Sequence, residues 1–414
     1  MKVFFTLILS LLIAVGLQAQ RNCGTTHYNE NLMRKDPSLR QKMMVSESVV
    51  KNWARKHPAT KNGVITIPVV VHVLYNSSVQ NISDAQIQTQ IDVLNADYRR
   101  LNADTANTPL EFDSISADIE IEFCLAHQSP TGAWTNGITR TYVTKTSYDL
   151  NDDDAKFSSK GGVDAWNTKL YLNIWVVPKI MDGAQSGILG YAQFPGGASA
   201  TDGVVIGYRY FGTIGTVTYP YNKGRTTTHE LGHWFGLLHI WGDDYGSCSG
   251  SDMVQDTPNQ ADYNMGCPAY PHPSCSNHSD MFMNYMDYTD DRCMNAFTEG
   301  QKTRMMYYLD NYRSALKTST KCQIVSMEEH MLASQLKIYP NPASDMLNID
   351  FGSDVDESLQ IKIFNAMGQE VYHMEADYFG SNLLVNTSSF TNGIYYLQIQ
   401  GKDFSINRKI EIIR

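Results

Sequence analysis

The alternation of apolar and polar residues predicts a layered α/β region in the first three quarters of the chain. The stretch "VITIPVVVHVLY" at 64–75 is a nearly continuous β-branched run, which is typical of a strand covered on both faces. Ser83 then precedes a stretch with apolar residues at every third or fourth position, and Gln86 completes a capping box. This pattern predicts an amphipathic helix whose buried face carries Ile87, Ile91, Leu94, Tyr98 and Leu101.

Shorter patterns predict the other elements of this region. Strand patterns lie at 117–125, 170–177, about 188–194 and 203–208. Helical patterns lie at 226–236 and from Thr298 to Leu316, with irregular chain at 240–297. This order of elements predicts an α/β (α+β) domain with a twisted mixed sheet.

A change of composition after Cys322 marks a second domain. From residue 334 the chain repeats short alternating patterns separated by turn signals, at intervals of roughly ten residues. We expect six or seven short strands that form a small all-β sandwich. The linker is expected at 318–333, and the C-terminal domain at 326–414.

The chain begins with a pattern typical of an exported protein. Lys2 precedes an apolar run that ends near "LQA", which predicts a signal peptide at 1–19. No later stretch reaches the roughly 18 apolar residues that a spanning helix needs, so we expect no transmembrane segment after signal removal. We therefore expect a protein that is secreted or held at the outer cell surface. Residues 20–60 are polar and charged, with weak helical periodicity and no strand pattern.

Charge excludes one class of partner. The formal net charge is -10 and no long basic run is present, so we expect no nucleic-acid partner. The acidic run "NDDDA" at 151–155 is expected to be solvated rather than to bind metal. We expect a monomer.

Export allows the cysteines to form disulfides, because exported proteins reach oxidising compartments. Of seven cysteines, Cys248, Cys267, Cys275 and Cys293 crowd into a short stretch, and their spacing alone leaves three pairings open. The odd total leaves at least one thiol unpaired.

The segment "TTTHELGHWFGLLHIWG" carries the clearest chemistry. His229 and His233 are four residues apart, so on a helix both imidazoles reach one ion. Glu230 lies about 100° further round the helix, beside the metal, where its carboxylate can take a proton from water. Gly236 is free to adopt positive φ and end the helix, which brings back His239 as a third ligand. Three nitrogen ligands and one open position predict a catalytic zinc site. The competing interpretation is an amphipathic core helix with incidental histidines.

These residues carry a family resemblance. "HELGHWFGLLH" resembles the extended zinc-binding consensus of metzincin metallopeptidases, and Met286 within "NYMDY" matches their Met-turn. "RNCGT", "GITR", "DTP" and "MDYTDDRCM" resemble the pappalysin family in particular. The resemblance implies a metzincin catalytic domain at 61–325, a propeptide at 20–60, and protein or peptide substrates. It also implies that Glu230 is the general base and that Tyr288 stabilises the oxyanion.

The same resemblance implies further sites. It implies the bridges Cys248–Cys275 and Cys267–Cys293. It suggests a structural calcium ion held by Asp252, Asp256 and Thr257. Cys23 is predicted to be a latency switch on the zinc, with Asp36 as the rival. The alternative is a thiol without a role, or a partner for Cys124 or Cys322, whose fates the sequence leaves open.

Pappalysin relatives often prefer Arg or Lys after the scissile bond, which requires an acidic pocket. The candidate acids are Asp287, Asp290, Asp291 and Glu299, and the sequence does not choose among them. If the preference holds, the basic residues Arg55, Lys56 and Lys61 are expected sites of autocatalytic propeptide cleavage.

The C-terminal domain resembles the sorting domain that the bacterial type IX secretion machinery recognises. The matching segments are "IYPNPASDMLNI", "NAMGQEV", "GIYYLQI" and the terminal "KIEII". The alternative is a carbohydrate-binding or spacer sandwich.

Taken together, these patterns predict a secreted zinc endopeptidase made as a zymogen. The rival from another class is a non-catalytic surface protein with structural zinc, which would have no use for Glu230. A zinc amidase acting on cell-wall peptide is a third interpretation, and the Met-turn disfavours it.

Overall fold

The computed structural model describes residues 21–57, 63–244, 246–323, 335–401 and 404–414. The signal peptide predicted at 1–19, the predicted cleavage site at Lys61 and most of the linker predicted at 318–333 lie outside the described residues. Two compact units are present. The first holds most of 21–317, and the second holds the described part of 318–414 with the short segments Pro68–Val70 and Cys124–Ile138.

The helices and strands follow one another in the order that the sequence predicts for an α/β domain followed by a β domain. The α-helices are α1 (Thr25–Lys35), α2 (Ser38–Met43), α3 (Glu47–Lys56), α4 (Asp84–Tyr98), α5 (Leu110–Asp113), α6 (Arg225–Trp234) and α7 (Glu299–Tyr312). The strands of the first unit are β1 (Ile65–Tyr75), β2 (Ile121–Leu125), β3 (Ile138–Tyr142), β4 (Tyr148–Asp149), β5 (Leu172–Val177), β6 (Ile180–Asp182), β7 (Gln185–Ile188), β8 (Gly190–Ala192) and β9 (Val204–Gly207). The strands of the second unit are β10 (Lys337–Tyr339), β11 (Met346–Asn365), β12 (Glu370–Asn386), β13 (Gly393–Gln400) and β14 (Ser405–Ile412).

A mixed sheet forms the centre of the first unit. Its strand order is β2-β1-β5-β9-β8, and β3 pairs with β1. Strands β5 and β9 are parallel, whereas β8 runs antiparallel to β9 and lies at the edge. The side chains of β5 are buried on both faces, as expected for a covered strand. The predicted mixed sheet is therefore confirmed, and β8 forms one of its edges.

Helix α4 packs against α6 and fixes the position of the predicted metal-binding helix. Ser83 caps α4 as predicted, since its side chain accepts a hydrogen bond from the Gln86 backbone N–H. The Gln86 amide does not complete the capping box but donates to the backbone carbonyl of Phe211. Leu101, predicted on the buried face, lies beyond the end of the helix and is exposed. Tyr98 and Asp97 bind α6 through Thr228, whose hydroxyl donates to Asp97 Oδ2 at 2.7 Å.

The N-terminal segment, residues 21–57, differs from its prediction. Weak periodicity gave no defined element there, yet the structure forms three helices, α1, α2 and α3. Their buried residues, including Tyr28, Met33 and Val50, pack against other parts of the first unit. Each of these helices is short, so tertiary packing rather than intrinsic propensity stabilises them.

The second unit is all-β, as predicted, but it has five described strands rather than six or seven short ones. Strand β11 spans 20 residues and pairs antiparallel with β10, β12 and β13. It runs through stretches that turn signals divide in the sequence, with a register shift between Asp350 and Val355. The hydrophobic core of the second unit contains Leu347, Ile361, Leu397 and Ile410. An irregularity within the ladder thus replaces a predicted loop.

Three disulfides are present among the described residues. Cys248 pairs with Cys275, and Cys267 pairs with Cys293, the pairings that the family resemblance implied. The third bridge joins Cys124 to Cys322. Cys23 is left as the free thiol. In the part of the chain that is described, no helix has the length and apolar character to cross a membrane.

Candidate metal centre and substrate cleft

Helix α6 brings the predicted ligands together in a buried cluster. His233 Nε2 lies 3.1 Å from His229 Nε2 and 3.1 Å from His239 Nε2, and all three rings are at most 1% exposed. A tetrahedral zinc ion with bonds of about 2.0–2.1 Å has ligand atoms about 3.3 Å apart, so the three nitrogens fit one ion. Burial and the neighbouring rings lower the pKa of His229 and His233, which keeps them neutral as metal ligands must be.

The opposite ring nitrogens fix the orientation of the imidazoles. Nδ1 of His229 donates to the carbonyl of Tyr285 at 2.7 Å, and Nδ1 of His233 donates to the carbonyl of Leu237 at 2.9 Å. A carbonyl can only accept, so each Nδ1 carries the proton and each Nε2 offers its lone pair. His239 Nδ1 bonds to the Asp243 carboxylate at 2.8 Å in the same way. The residues present therefore suit a zinc ion.

Glu230 lies beside the histidines rather than among them. Its side chain is 1% exposed, and burial raises its pKa to about 7 although hydrogen bonds from Thr25 and Cys23 oppose the rise. A carboxylate with a pKa near the working pH can both accept and return a proton. Gly190 of β8 lies directly above it, since a Cβ there would come within 2.8 Å of the Glu230 side chain.

Gly236 makes the turn that returns His239 to the cluster. Its φ is +91°, and an added Cβ would lie 2.1 Å from the Tyr308 ring. The Gly236 carbonyl accepts from Arg304 Nε at 2.7 Å, which ties the turn to α7. The predicted role of Gly236 is therefore confirmed, and close packing adds a second reason for glycine.

Met286 lies under the helix in the predicted position. It is fully buried, and an added Cβ on Gly232 would lie 2.4 Å from its sulfur. Its backbone N–H donates to Asn284 Oδ1 at 2.9 Å, and its carbonyl accepts from Ile240 at 3.3 Å. Sequence reasoning missed Gly232, although its place between the two helical histidines was a usable signal.

Tyr288 packs directly on the histidine cluster. Its ring centroid lies 5.0 Å from that of His239 and 5.8 Å from that of His229. Trp241 stacks on His239 with ring centroids 4.3 Å apart and an angle of 8° between the planes. Sequence reasoning missed Trp241 and Asp243, although both lie within four residues after His239.

The N-terminal segment occupies the same cleft. Cys23 Sγ and the three histidine nitrogens all lie within 4.8 Å of one another. The rival residue Asp36 lies at the end of α1, where its carboxylate accepts from the Ser38 N–H. The structure thus brings Cys23, and not Asp36, to the histidines.

Edge strand β8 holds this segment by backbone hydrogen bonds. Gly24 N–H donates to the Gly190 carbonyl at 2.9 Å, and Leu189 N–H donates to the Asn22 carbonyl at 2.9 Å. The Ala192 N–H donates to Thr25 Oγ1 at 2.9 Å. An extended peptide can therefore pair with this edge.

One of the four candidate acids, Asp291, contacts a basic side chain of the N-terminal segment. Arg21 Nη2 donates to Asp291 Oδ1, its Nε donates to the Thr289 carbonyl at 3.3 Å, and its guanidinium lies 4.8 Å from the centre of the Tyr221 ring. The side chains of Arg21 and Asp291 are 1% and 0% exposed. Among the other candidates, Asp287 accepts from Asn264 and Gln260, Asp290 faces Arg292, and Glu299 is exposed at the start of α7.

The predicted calcium ligands are only partly together. The Thr257 hydroxyl donates to both oxygens of the buried Asp252 carboxylate, at 2.9 and 3.0 Å. The Asp256 carboxylate instead accepts from the Thr298 hydroxyl and the Gly300 N–H at the start of α7. Burial raises the pKa of Asp252 to about 7.

Two family models and several known proteins match this chain. Residues 157–310 match the family model described as "Pregnancy-associated plasma protein-A", and residues 337–413 match the one described as "Secretion system C-terminal sorting domain". An extracellular metalloprotease of Pyricularia oryzae is 33% identical over 323 residues, which are 75% of this chain and 96% of the relative.

Two solved structures are similar to more than half of this chain. Mature mirolysin of Tannerella forsythia in complex with a cleaved peptide has a TM-score of 0.60 and 52% identity, covering 64% of this chain and 98% of that one. A mutant of Tannerella forsythia promirolysin has a TM-score of 0.63 and 48% identity, covering 73% of this chain and 97% of that one. The chain therefore belongs to the pregnancy-associated plasma protein-A (pappalysin) family of zinc metalloendopeptidases, and it is a secreted or cell-surface enzyme with a type IX sorting domain.

Proposed function

We propose that this metalloendopeptidase is made as a zymogen, cuts proteins before Arg or Lys, and uses His229, His233 and His239 as zinc ligands. The observation that carries the proposal is the position of the N-terminal segment, with Cys23 at the histidines and Arg21 on Asp291. A chain that fills its own cleft in this way blocks substrate. The polar segment predicted as a propeptide at 20–60 then has a defined task.

The chemistry of cleavage is divided among few residues. Bound zinc supplies the Lewis acidity that activates water and polarises the scissile carbonyl. Glu230, which directly follows His229 on α6, takes the proton of the attacking water and returns it to the leaving amine. The Tyr288 phenol, beside His229 and His239, donates to the oxyanion that develops on the carbonyl. Gly190 leaves room for substrate backbone above Glu230.

The basic preference follows from the pocket around Asp291. Its carboxylate also accepts from the Lys223 N–H at 2.8 Å, which fixes its orientation. Tyr221 provides an aromatic face for a cation. A substrate Arg or Lys that follows the scissile bond replaces Arg21 in this pocket once the N-terminal segment has left.

A peptide library tests the proposal. The full chain, loaded with zinc and freed of residues 21–57 by limited proteolysis, should cut before Arg and Lys. Glu230→Ala should lower the rate by at least about 1,000-fold through loss of the base. Asp291→Asn should remove the basic preference, while Glu299→Gln, at the exposed start of α7, should keep it. Equal activity of Glu230→Ala and wild type would refute the catalytic assignment, and an unchanged preference in Asp291→Asn would refute the pocket.

A structural calcium ion is a separate proposal. The buried Asp252 carboxylate in the loop anchored by Cys248–Cys275 supports it, together with the adjacent Thr257 hydroxyl. Asp256 contributes only if its carboxylate leaves Gly300. Added calcium should raise the melting temperature of wild type and of Asp262→Asn, an exposed acid of the same loop, but not of Asp252→Asn. An equal shift in all three would exclude this site.

A further inference from the structure

A second pocket, bordered by Tyr191 of edge strand β8, is filled by Tyr28 of the N-terminal segment. Tyr28 is 1% exposed, and its ring packs on Tyr191 of β8 with centroids 4.9 Å apart. Leu150 and Ile188 belong to the same buried cluster. The walls of this pocket are therefore apolar and aromatic, which suits a flat side chain.

The floor of the pocket is polar and charged. Lys156 Nζ donates to the Tyr28 hydroxyl oxygen at 2.8 Å, and the Tyr28 hydroxyl donates to Asp153 Oδ1 at 2.7 Å. Lys156 and Asp153 also pair with each other at 3.0 Å. Asp153 lies in the acidic run at 151–155 that was expected to be solvated, but its side chain is only 16% exposed. This expectation is wrong for Asp153, because Tyr28 and Lys156 cover it.

Lys156 and Asp153 together satisfy both hydrogen-bonding roles of a phenol oxygen, as acceptor and as donor. Lys156 offers only N–H donors, and the Asp153 carboxylate offers only acceptors. A hydroxyl that accepts from one and donates to the other satisfies both, whereas a phenyl ring satisfies neither. A buried lysine and carboxylate left without this partner are costly, so the pocket discriminates against phenylalanine.

The order of the contacts along the N-terminal segment locates the pocket. Arg21 lies on Asp291, Cys23 lies at the histidines, and Tyr28 lies here. The segment follows the edge strand from Gly24, which bonds to Gly190, to Asn29, which bonds to Ala192, so it leads past the metal centre and away from Asp291 to the pocket of Tyr28. If Asp291 receives the residue after the scissile bond, this pocket receives a residue before it.

We propose that the pocket of Lys156, Asp153 and Tyr191, vacated when the N-terminal segment leaves, is a subsite for a substrate tyrosine on the amino-terminal side of the scissile bond. The inference rests on the proposed zymogen function. It adds a second specificity to the basic preference, and it gives buried Lys156 a task in the mature enzyme.

Paired peptides test the subsite. Each peptide keeps Arg after the cut and carries either Tyr or Phe at one of the positions before it, and kcat/KM is measured with the full chain after removal of residues 21–57. At one position Tyr should exceed Phe by at least about tenfold. Lys156→Met should reduce this ratio to about one while the Phe peptide is still cut. The control Lys160→Met, a half-exposed lysine bonded to the Asp152 carbonyl, should keep it.

The outcomes separate this inference from the proposed function. A Tyr-to-Phe ratio near one at every position in wild type, or an unchanged ratio in Lys156→Met, overturns the subsite. Failure of the wild type to cut any peptide counts instead against the proposed function. Binding then decides the subsite without catalysis. A synthetic peptide of residues 21–35 should lose at least about tenfold in affinity for the processed chain on Tyr28→Phe, and equal affinity overturns the subsite.

Discussion

Replacing Thr25 by valine should weaken the inhibition that we propose for the N-terminal segment. The Thr25 side chain is fully buried between two parts of the cleft. Its hydroxyl donates to Glu230 Oε2 at 2.7 Å and accepts from the Ala192 N–H at 2.9 Å. Valine keeps the shape but offers neither bond, so both the carboxylate and the amide lose a partner while buried.

The size of the effect follows from these two bonds. A hydrogen bond to a charged group contributes about 1.5–3 kcal/mol, and a buried amide left without a partner costs about 1–3 kcal/mol. Taking values near the lower ends gives about 3 kcal/mol, which corresponds to a factor of about 100 in an inhibition constant. Loss of the Thr25 hydroxyl also removes a contact that lowers the pKa of Glu230 while the N-terminal segment is in place.

The assay uses a synthetic peptide of residues 21–35 as an inhibitor of the processed chain. The Thr25→Val peptide should have an inhibition constant about 100-fold above that of the unaltered peptide. Glu30→Gln, at an exposed position of α1, is the matched control and should inhibit like the unaltered peptide. Inhibition constants within about twofold of each other for Thr25→Val and the unaltered peptide would refute the reasoning.

Three more predictions concern stability and the metal. Gly236→Ala should lower the free energy of unfolding by more than about 3 kcal/mol, because alanine meets both positive φ and the Tyr308 ring. Gly183→Ala, with φ of +58° and open space around it, should cost only about 1 kcal/mol, and equal losses would contradict the packing argument. Without calcium, the free energy of unfolding of the wild type should fall by a few kcal/mol as the pH rises from about 4 to about 7. The cause is Asp252, whose carboxyl keeps its proton up to about pH 7 in the folded protein but releases it near 3.9 in the unfolded chain. Urea titrations across this range should show a flatter dependence for Asp252→Asn, and parallel curves would exclude the group as the cause. Removing zinc with a chelator should abolish cleavage and lower the melting temperature, and added zinc should restore both; an unchanged melting temperature would argue against the three-histidine site.

Local sequence was sufficient to predict the features that depend only on residues a few positions apart. The spacing of His229 and His233 places both on one face of any helix, whatever surrounds it. Ser83 marks the start of α4 because capping is a contact over three residues. Gly236 was identifiable because a turn with positive φ has few acceptable residues.

Longer-range features required the folded chain. The third bridge joins residues 198 positions apart, and the sequence had no means of choosing Cys322 as the partner of Cys124. The sequence did not distinguish Asp291 from the three other candidate acids of the basic pocket. The structure does, because Arg21, 270 residues away in the sequence, contacts Asp291. Strand β11 continues through a turn signal because its pairing with β12 on both sides, up to Asp350 and again from Val355, outweighs the local preference.

The same distinction between local sequence and tertiary structure applies to the residues of the metal centre. The sequence was sufficient to single out the three histidines proposed as ligands and the neighbouring Glu230, because one helix and one turn hold them. Only the tertiary structure decided what else reaches them: Cys23 and Thr25 from the N-terminal segment, and the pocket that Lys156 forms with Tyr28. These contacts depend on how distant parts of the chain pack, and no periodicity within either segment encodes the position of the other.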